Sequence, residues 1–156
     1  VLCLLLREGV PIRDMETILE TLGDHAGALK DIDIVTEYVR QALKRTITRR
    51  FAEANSLRVI TVDPKVEDTI VASVKKSDAG SYLAMDPDLI QKIVNITSGE
   101  IDKVKDVIPN VIILTSPIVR IYFKKLIDQF IPNITVLSYS EIDNTAQIQA
   151  IGNIAM

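Results

Sequence analysis

The sequence is poor in the residues that most often build reactive or cross-linked sites. Among its 156 residues it has one cysteine, one histidine and no tryptophan. The single Cys3 excludes an internal disulfide framework and suits a reducing compartment, and its apolar neighbours predict that it is buried. Because His25 is the only histidine, a zinc site of histidine and cysteine ligands cannot be assembled. We therefore expect no metal site and no cofactor.

Motifs for phosphate binding and nucleophilic catalysis are also missing. The chain has neither a Gly-x-Gly-x-x-Gly sequence nor a Gly-Lys-Ser/Thr loop, so nothing in it is typical of a phosphate cradle. Its carboxylates are scattered, and none forms an obvious acid–base pair. The sequence predicts no catalytic residues and a protein that is not an enzyme.

Neither a strong positive charge nor a long apolar run is present. The net charge is −3, which gives no global field to attract nucleic acid or anionic lipid. The apolar start, residues 1–6, ends at Arg7 and Glu8, far short of the roughly 20 residues of a membrane span. A hydrophobic content of 47% with 25% charged residues indicates a folded globular chain. Since the chain begins without methionine in an apparent helix, we expect it to be a piece of a longer protein.

What the sequence does contain begins with a helical corner at residues 4–22. Gly9 suits the position just after a helix, where φ is often positive, and Pro11 cannot continue a helix. Asp14 and Glu16 then place negative charge at the start of a second helix. Residues 1–56 are predicted to be wholly helical.

A long helix is predicted after Asp31, with an apolar stripe that includes Val35, Tyr38, Val39 and Ala42. Its far end is basic, with Arg40, Lys44, Arg45, Arg49 and Arg50. These cations form either a solvated face that suits the negative end of the helix dipole or a salt-bridging surface for a protein partner.

The hydrophobic period changes at Leu57, which predicts an α/β subdomain over residues 57–156 after the helical subdomain of residues 1–56. Strands are expected at residues 57–62, 111–114 and 135–137, with a half-exposed edge strand at 147–154. Residues 75–81 are expected to form a loop. The order of elements predicts a mostly parallel sheet of about four strands, in a fold of the α+β or α/β class.

Three pairs of residues combine a capping side chain with proline. Asp63-Pro64, Asp86-Pro87 and Ser116-Pro117 each resemble an N-cap followed by proline at the first helical position. Asp63, Thr115, Ser116 and Ser138 also lie at predicted carboxyl ends of strands, where α/β folds bind ligands. The alternative is therefore a regulatory module that binds a small ligand or is phosphorylated at Asp63. Arg120 with Lys124 and Lys125 forms a second modest basic face.

Several segments together carry a resemblance to a known family. They are Leu-Leu-Arg-Glu-Gly-Val-Pro-Ile-Arg-Asp-Met-Glu-Thr-Ile-Leu-Glu-Thr-Leu from residue 5, Val-Arg-Gln-Ala-Leu from residue 39, Val-Asp-Pro from residue 62, Met-Asp-Pro from residue 85, Leu-Thr-Ser-Pro from residue 114 and Leu-Ser-Tyr-Ser-Glu-Ile from residue 137. In this order they resemble the C-terminal part of the cytoplasmic domain of the FlhA/InvA/LcrD (FHIPEP) family of export-gate proteins. The flagellar branch is favoured, although Ser140 replaces its usual asparagine.

The resemblance implies a non-enzymatic module of the flagellar type III export gate at the cytoplasmic face of the bacterial inner membrane. It implies a ring of identical protomers, docking of export chaperones with their substrates, contacts with other export-apparatus proteins and a part in switching between substrates. We expect the residues that contact other protomers to be Arg7, Glu8, Arg13, Asp14, Arg40 and Arg45. Salt bridges within the chain are an equal alternative for these residues. A short junction at residues 52–56 is expected to let the α/β subdomain reorient.

Overall fold

The computed structural model describes residues 1–28, 30–77 and 80–156. The helices are α1 (Leu2–Arg7), α2 (Met15–His25), α3 (Ile32–Ala42), α4 (Lys44–Phe51), α5 (Pro64–Ala72), α6 (Pro87–Val104) and α7 (Arg120–Asp128). The strands are β1 (Ser56–Val62), β2 (Val74–Ser77), β3 (Gly80–Leu83), β4 (Ile112–Thr115), β5 (Thr135–Ser138) and β6 (Gln147–Ile154). A short 3-10 helix, Tyr139–Glu141, follows β5.

The helical corner forms as predicted. Gly9 has a φ of 73° directly after α1. Asp14 is the N-cap of α2, and its side chain accepts a hydrogen bond from the backbone N–H of Thr17. The predicted long helix is divided at Leu43, where a ψ of 19° turns the chain between α3 and α4. This turn directs α4 toward β1.

The main sheet confirms the predicted fold class. Its four strands lie in the order β5-β4-β1-β6, and all three pairings are parallel. The central strands alternate between two buried faces, as is usual for parallel strands. Leu57 and Val59 face one core with Leu114, whereas Ile60 and Ile113 face the other.

The helical segment shares one of these cores with the sheet. Leu5, Ile18 and Val39 from α1, α2 and α3 pack in the same cluster as Leu57 and Leu114. The opposite face of the sheet is covered by α5, α6 and α7. The division at residue 56 and the reorientation about residues 52–56 stay predictions, and such a movement would have to separate this shared core.

Several local predictions were wrong. Residues 74–77 and 80–83 pair as an antiparallel hairpin instead of a loop, while Asp78 and Ala79, also in the predicted loop, lie outside the described residues. Cys3 is exposed, because α1 turns Leu5 inward instead. Within the described ranges, no helix is both long and apolar enough to cross a membrane.

Candidate functional site

A cluster of charged side chains lies where the helical segment meets the sheet. We call it the buried network, and it consists of Glu8, Glu37, Arg40, Arg120 and Glu141. Arg120 and Glu141 are 0% exposed and Arg40 is 1% exposed. Glu8 follows α1, Glu37 and Arg40 belong to α3, Arg120 begins α7 and Glu141 ends the 3-10 helix after β5. The network therefore connects both layers of helices with the end of a strand.

Arg120 is the centre of the buried network. Its Nε donates to both carboxylate oxygens of Glu37 at 3.0 and 2.8 Å. Its Nη1 donates to Oε2 of Glu8 at 2.7 Å and to the backbone carbonyl of Val136 at 3.0 Å. Its Nη2 donates to Oε1 of Glu8 at 3.1 Å. This guanidinium thus bridges two carboxylates, which is the forked geometry in which arginine binds them best.

Arg40 completes the other side of the buried network. Its Nε donates to Oε1 of Glu141 at 2.6 Å, and its Nη1 lies 3.4 Å from Oε2 of Glu8. Glu141 also forms a capping box with Ser138, whose backbone N–H and hydroxyl donate to Oε2 at 3.3 and 3.2 Å. Nη1 of Arg40 is buried and has no hydrogen-bond acceptor in the described part of the chain.

The two glutamates bound by Arg120 differ in their electrostatics. Burial on its own would raise the pKa of the Glu8 carboxyl. The positive charges of Arg120 and, to a smaller extent, Arg40 outweigh the effect of burial, so the pKa is lowered. Burial raises the pKa of Glu37, and the negative charge of Glu141 adds to this against the opposing effect of Arg120. Three carboxylates share two guanidinium groups, which explains why one carboxylate is less well compensated.

Strand β5 is at the edge of the sheet, and helix α7 supplies donors for its backbone. Arg120 binds the carbonyl of Val136, and Nζ of Lys124 donates to the carbonyl of Ile134 at 2.7 Å. An edge strand otherwise presents unpaired carbonyl groups that can pair with another chain. The predicted basic face of Arg120, Lys124 and Lys125 is therefore wrong for Arg120, which is buried beside this edge.

Beside the buried network lies a cleft of about 760 Å³. It is lined by Ser56, Ile112 and Thr135, the first residues of three parallel strands, and so opens at the amino end of the sheet. Its lining includes the cations Arg7, Arg40, Arg50, Arg58 and Lys124 and the acids Glu8 and Glu53. We call it the basic cleft, since cations outnumber acids along its wall.

The predicted contact residues are divided between two cavities and the open surface. Glu8 and Arg40 lie in the buried network, where they form internal salt bridges, the alternative that the sequence had allowed for them. Both residues, together with Arg7, also line the basic cleft. Asp14 and Arg45 line a second cavity of about 350 Å³. Arg7, Arg13, Asp14 and Arg45 are exposed, as a contact with another molecule requires. Their contact with another protomer stays a prediction.

Asp14 is held in place by its neighbour in α2. Thr17 donates to it from both its backbone N–H and its hydroxyl, at 3.2 and 2.7 Å. These hydrogen bonds lower the pKa of the Asp14 carboxyl. Asp14 therefore keeps its negative charge at the exposed start of α2.

Sequence reasoning missed Glu37, Arg120 and Glu141. Helical spacing could have placed Arg120 on the buried face of α7, because Phe123 and Ile127 lie three and seven residues later and both are buried. In the same way Arg40 shares the buried face of α3 with Val39, whereas Tyr38 from the predicted stripe is 40% exposed. Ser138 and Glu141 also have the spacing of a capping box. The pairing of Arg120 with Glu37 and of Arg40 with Glu141 joins residues far apart in the sequence, so no short motif could have predicted it.

The three proline-linked caps have different outcomes. Asp63 and Asp86 accept hydrogen bonds from the backbone N–H groups two residues later, at 3.2 and 2.9 Å, so capping is confirmed for both. The prediction was wrong for Ser116, because α7 begins at Arg120 after a turn and has no side-chain cap. Among the described residues, no group of three or more His, Cys, Asp or Glu side chains could hold a metal ion.

Comparisons with known proteins agree on one family. The FHIPEP family profile matches residues 1–147. The chain is 40% identical over 153 residues to flagellar biosynthesis protein FlhA of Bacillus subtilis. The aligned region covers 97% of this chain but only 23% of that protein. The chain thus spans about a quarter of this relative's length.

Solved structures give the same result for the fold. The Chlamydia pneumoniae CdsV protein superposes with a TM-score of 0.87 at 37% identity, over 97% of this chain and 43% of that one. Nonameric EPEC SctV-C, solved by cryo-EM, superposes with a TM-score of 0.86 at 32% identity, over 98% of this chain and 46% of that one. Because these matches extend along almost its whole length, the chain belongs to the FHIPEP family.

Proposed function

We propose that this chain is a non-enzymatic assembly module of a bacterial type III export gate of the flagellar branch. In this role it contributes to a ring of identical protomers at the cytoplasmic face of the inner membrane. It also takes part in receiving chaperone-delivered export substrates and in switching between them.

The match to nonameric SctV-C carries this proposal. A TM-score of 0.86 over 98% of the chain means that the same fold occurs in a nonameric assembly, and this supports a ring of identical protomers. The 40% identity to FlhA of Bacillus subtilis supports the flagellar branch. A solved complex of Chlamydia pneumoniae CdsV with CdsO supports contacts with other components of the apparatus.

The geometry suits a rigid building block. Arg120 and Arg40 connect the helical segment to the sheet through charges that are buried and mutually paired. Breaking such a pair leaves a buried charge without a partner, which is strongly unfavourable. A module held in this way keeps its exposed corner in a fixed orientation toward a neighbouring protomer.

We assign the protomer contacts to the exposed members of that corner, which are Arg7, Arg13, Asp14 and Arg45. Glu8 and Arg40 support the corner from inside through the buried network. The test is charge reversal of Arg13 and Arg45 to glutamate in the full-length protein, followed by sedimentation velocity of the assembled species. We expect smaller assemblies with an unchanged melting temperature of the monomer.

The matched control is reversal of Lys76 and Lys92, two exposed lysines outside the corner. If the corner variant assembles like this control, the contact assignment is wrong. If the unaltered full-length protein forms no ring, the assembly role itself is wrong.

A second experiment tests the docking role. Flagellar chaperone–cargo complexes are incubated with this chain alone and with the full-length protein. Binding only by the full-length protein would restrict this chain to assembly, and binding by the chain alone would place a docking surface within these residues. If neither binds, the docking role is contradicted.

A further inference from the structure

We propose that the basic cleft receives the acidic face of helix α2 from a second copy of this chain. This inference rests on the proposed ring-forming function and specifies one of its contacts. It joins two surfaces that lie on every copy and that carry opposite charge.

The basic cleft has cations with no strong partner of their own. Arg7 and Arg50 make no ion pair in the described part of the chain, and Arg58 has only a contact of 3.9 Å with exposed Glu53. Lys124 and Arg40, by contrast, are already bound to Asp128 and Glu141. Arg7, Arg50 and Arg58 are thus the charges available to a carboxylate from outside.

Arg40 lies on the inner wall of the cleft but is not one of these available cations. It is 1% exposed, and its Nη1 lies 3.4 Å from Oε2 of Glu8. An occupant is therefore expected to bring carboxylate oxygens to the exposed arginines of the cleft.

Helix α2 presents such oxygens in a regular row. Glu16, Glu20 and Asp24 are exposed and lie four residues apart, so they follow one face of the helix. With a rise of about 1.5 Å per residue, the row is roughly 12 Å long. None of the three makes an ion pair in the described ranges. We call this row the acidic stripe.

Apolar surface lies next to the acidic stripe. Leu19 is 60% exposed and Met15 is 36% exposed on the same helix. An interface with charged contacts around buried apolar residues is the usual composition of protein–protein contacts. A cleft of about 760 Å³ has room for side chains from one helix face, while the helix backbone stays outside.

Two different surfaces that fit each other produce head-to-tail contacts, and these close into rings when the rotation allows. The basic cleft and the acidic stripe are such a pair on one chain. Their opposite charges point to a second copy as the occupant, and a separate acidic protein is the competing occupant that the experiment must distinguish.

The test uses two charge-reversed forms of the full-length protein. The first carries Glu16→Lys, Glu20→Lys and Asp24→Lys, and the second carries Arg50→Glu and Arg58→Glu. We expect each form to lose self-association by about tenfold or more, which corresponds to about 1.4 kcal/mol. All of these residues are exposed, but Glu16 and Arg50 carry charges that suit the helix ends where they lie, so a small fall in the melting temperature of each form is expected.

Restored pairing is the decisive readout. A mixture of the two forms is expected to associate, because the reversed stripe of one meets the reversed cleft of the other. A single chain with all five substitutions is expected to self-associate again. Lys76→Glu with Lys92→Glu serves as the control for the cleft form, because both forms replace two positive side chains with two negative ones.

Each remaining outcome contradicts the proposal in a recognisable way. If both reversed forms assemble like the control, the pairing is wrong while the ring proposal stands. If both lose assembly but neither mixing nor combination restores it, the two surfaces contact other parts of the neighbouring copy and not each other. If only the stripe form loses assembly, the cleft serves another acidic partner. If the unaltered full-length protein does not assemble, the proposed function fails together with this inference.

Discussion

Arg120 and Glu37 lie 83 positions apart in the sequence, yet Nε of Arg120 donates hydrogen bonds to both carboxylate oxygens of Glu37. The pair connects α7, on one face of the sheet, with α3, on the other. Glu8 and Glu141 extend the connection to the helical corner and to the end of β5. One guanidinium thereby fixes the relative positions of elements that the chain does not join directly.

Substitution of Arg120 by methionine is expected to destabilise the protein by about 3–5 kcal/mol, because Glu8 and Glu37 lose their main partner inside the protein. Chemical denaturation with urea at neutral pH measures the change. Methionine keeps much of the side-chain volume, so the loss is assigned to the charge and not to a cavity.

The matched control for Arg120 is Lys125→Met in the same helix. Lys125 pairs with Asp33, but its side chain is 51% exposed, and exposed pairs contribute only about 0.2–1 kcal/mol. If the two substitutions cost the same free energy, the buried network does not have the structural role assigned to it.

The pH dependence of stability is expected to have opposite signs at Glu8 and Glu37. The lowered pKa of Glu8 adds stability that is fully present above its ordinary value of 4.5 and is lost as the pH falls through the folded-state pKa. The raised pKa of Glu37 adds stability that is present below 4.5 and is lost as the pH rises through the folded-state pKa.

Glutamine variants separate these two contributions. The difference in unfolding free energy between wild type and Glu8→Gln is expected to grow as the pH rises toward 4.5 and to be constant above it. The difference between wild type and Glu37→Gln is expected to change in the opposite direction above 4.5. Urea titrations at a series of pH values measure both, and differences that change in the same direction would contradict the assigned shifts.

Local features could be predicted from the sequence, whereas the site depended on long-range pairing. The caps at Asp63 and Asp86 involve residues two positions apart, so a short motif was enough to find them. Arg40 and Glu141 are 101 positions apart, and no short motif contains both. Because each belongs to a basic cluster, the sequence predicted a surface cation for Arg120 and left Arg40 between a protomer contact and an internal salt bridge. Helical spacing predicts the burial of Arg40 and Arg120 only when the buried faces of α3 and α7 are assigned correctly.

The three proline-linked caps are expected to respond differently to alanine. Asp63→Ala and Asp86→Ala remove hydrogen bonds to helix N-termini, at a cost of about 0.5–2 kcal/mol each. Ser116→Ala is expected to change stability by less than about 0.5 kcal/mol, since Ser116 does not cap α7 with its side chain.

Thermal or urea unfolding of the three variants measures this difference. A large loss for Ser116→Ala would mean that the start of α7 is misassigned. The same Asp63 variant tests the regulatory alternative: after incubation with a phosphodonor and Mg²⁺, a mass increase seen in wild type and absent from Asp63→Ala would support it.

Two glycines in neighbouring elements are expected to respond to alanine with opposite signs. Gly9 has a φ of 73°, a left-handed conformation that costs an L-residue roughly 1–2 kcal/mol. Gly23 lies within α2, and an added Cβ there meets nothing within 4 Å, so Gly23→Ala is expected to stabilise the protein by about 0.5–1 kcal/mol. Urea denaturation of both variants gives the two signs directly. Because both substitutions add the same methyl group, a loss at both positions would show that α2 is not the regular helix described here, whereas opposite signs confirm that Gly9 sets the turn of the corner.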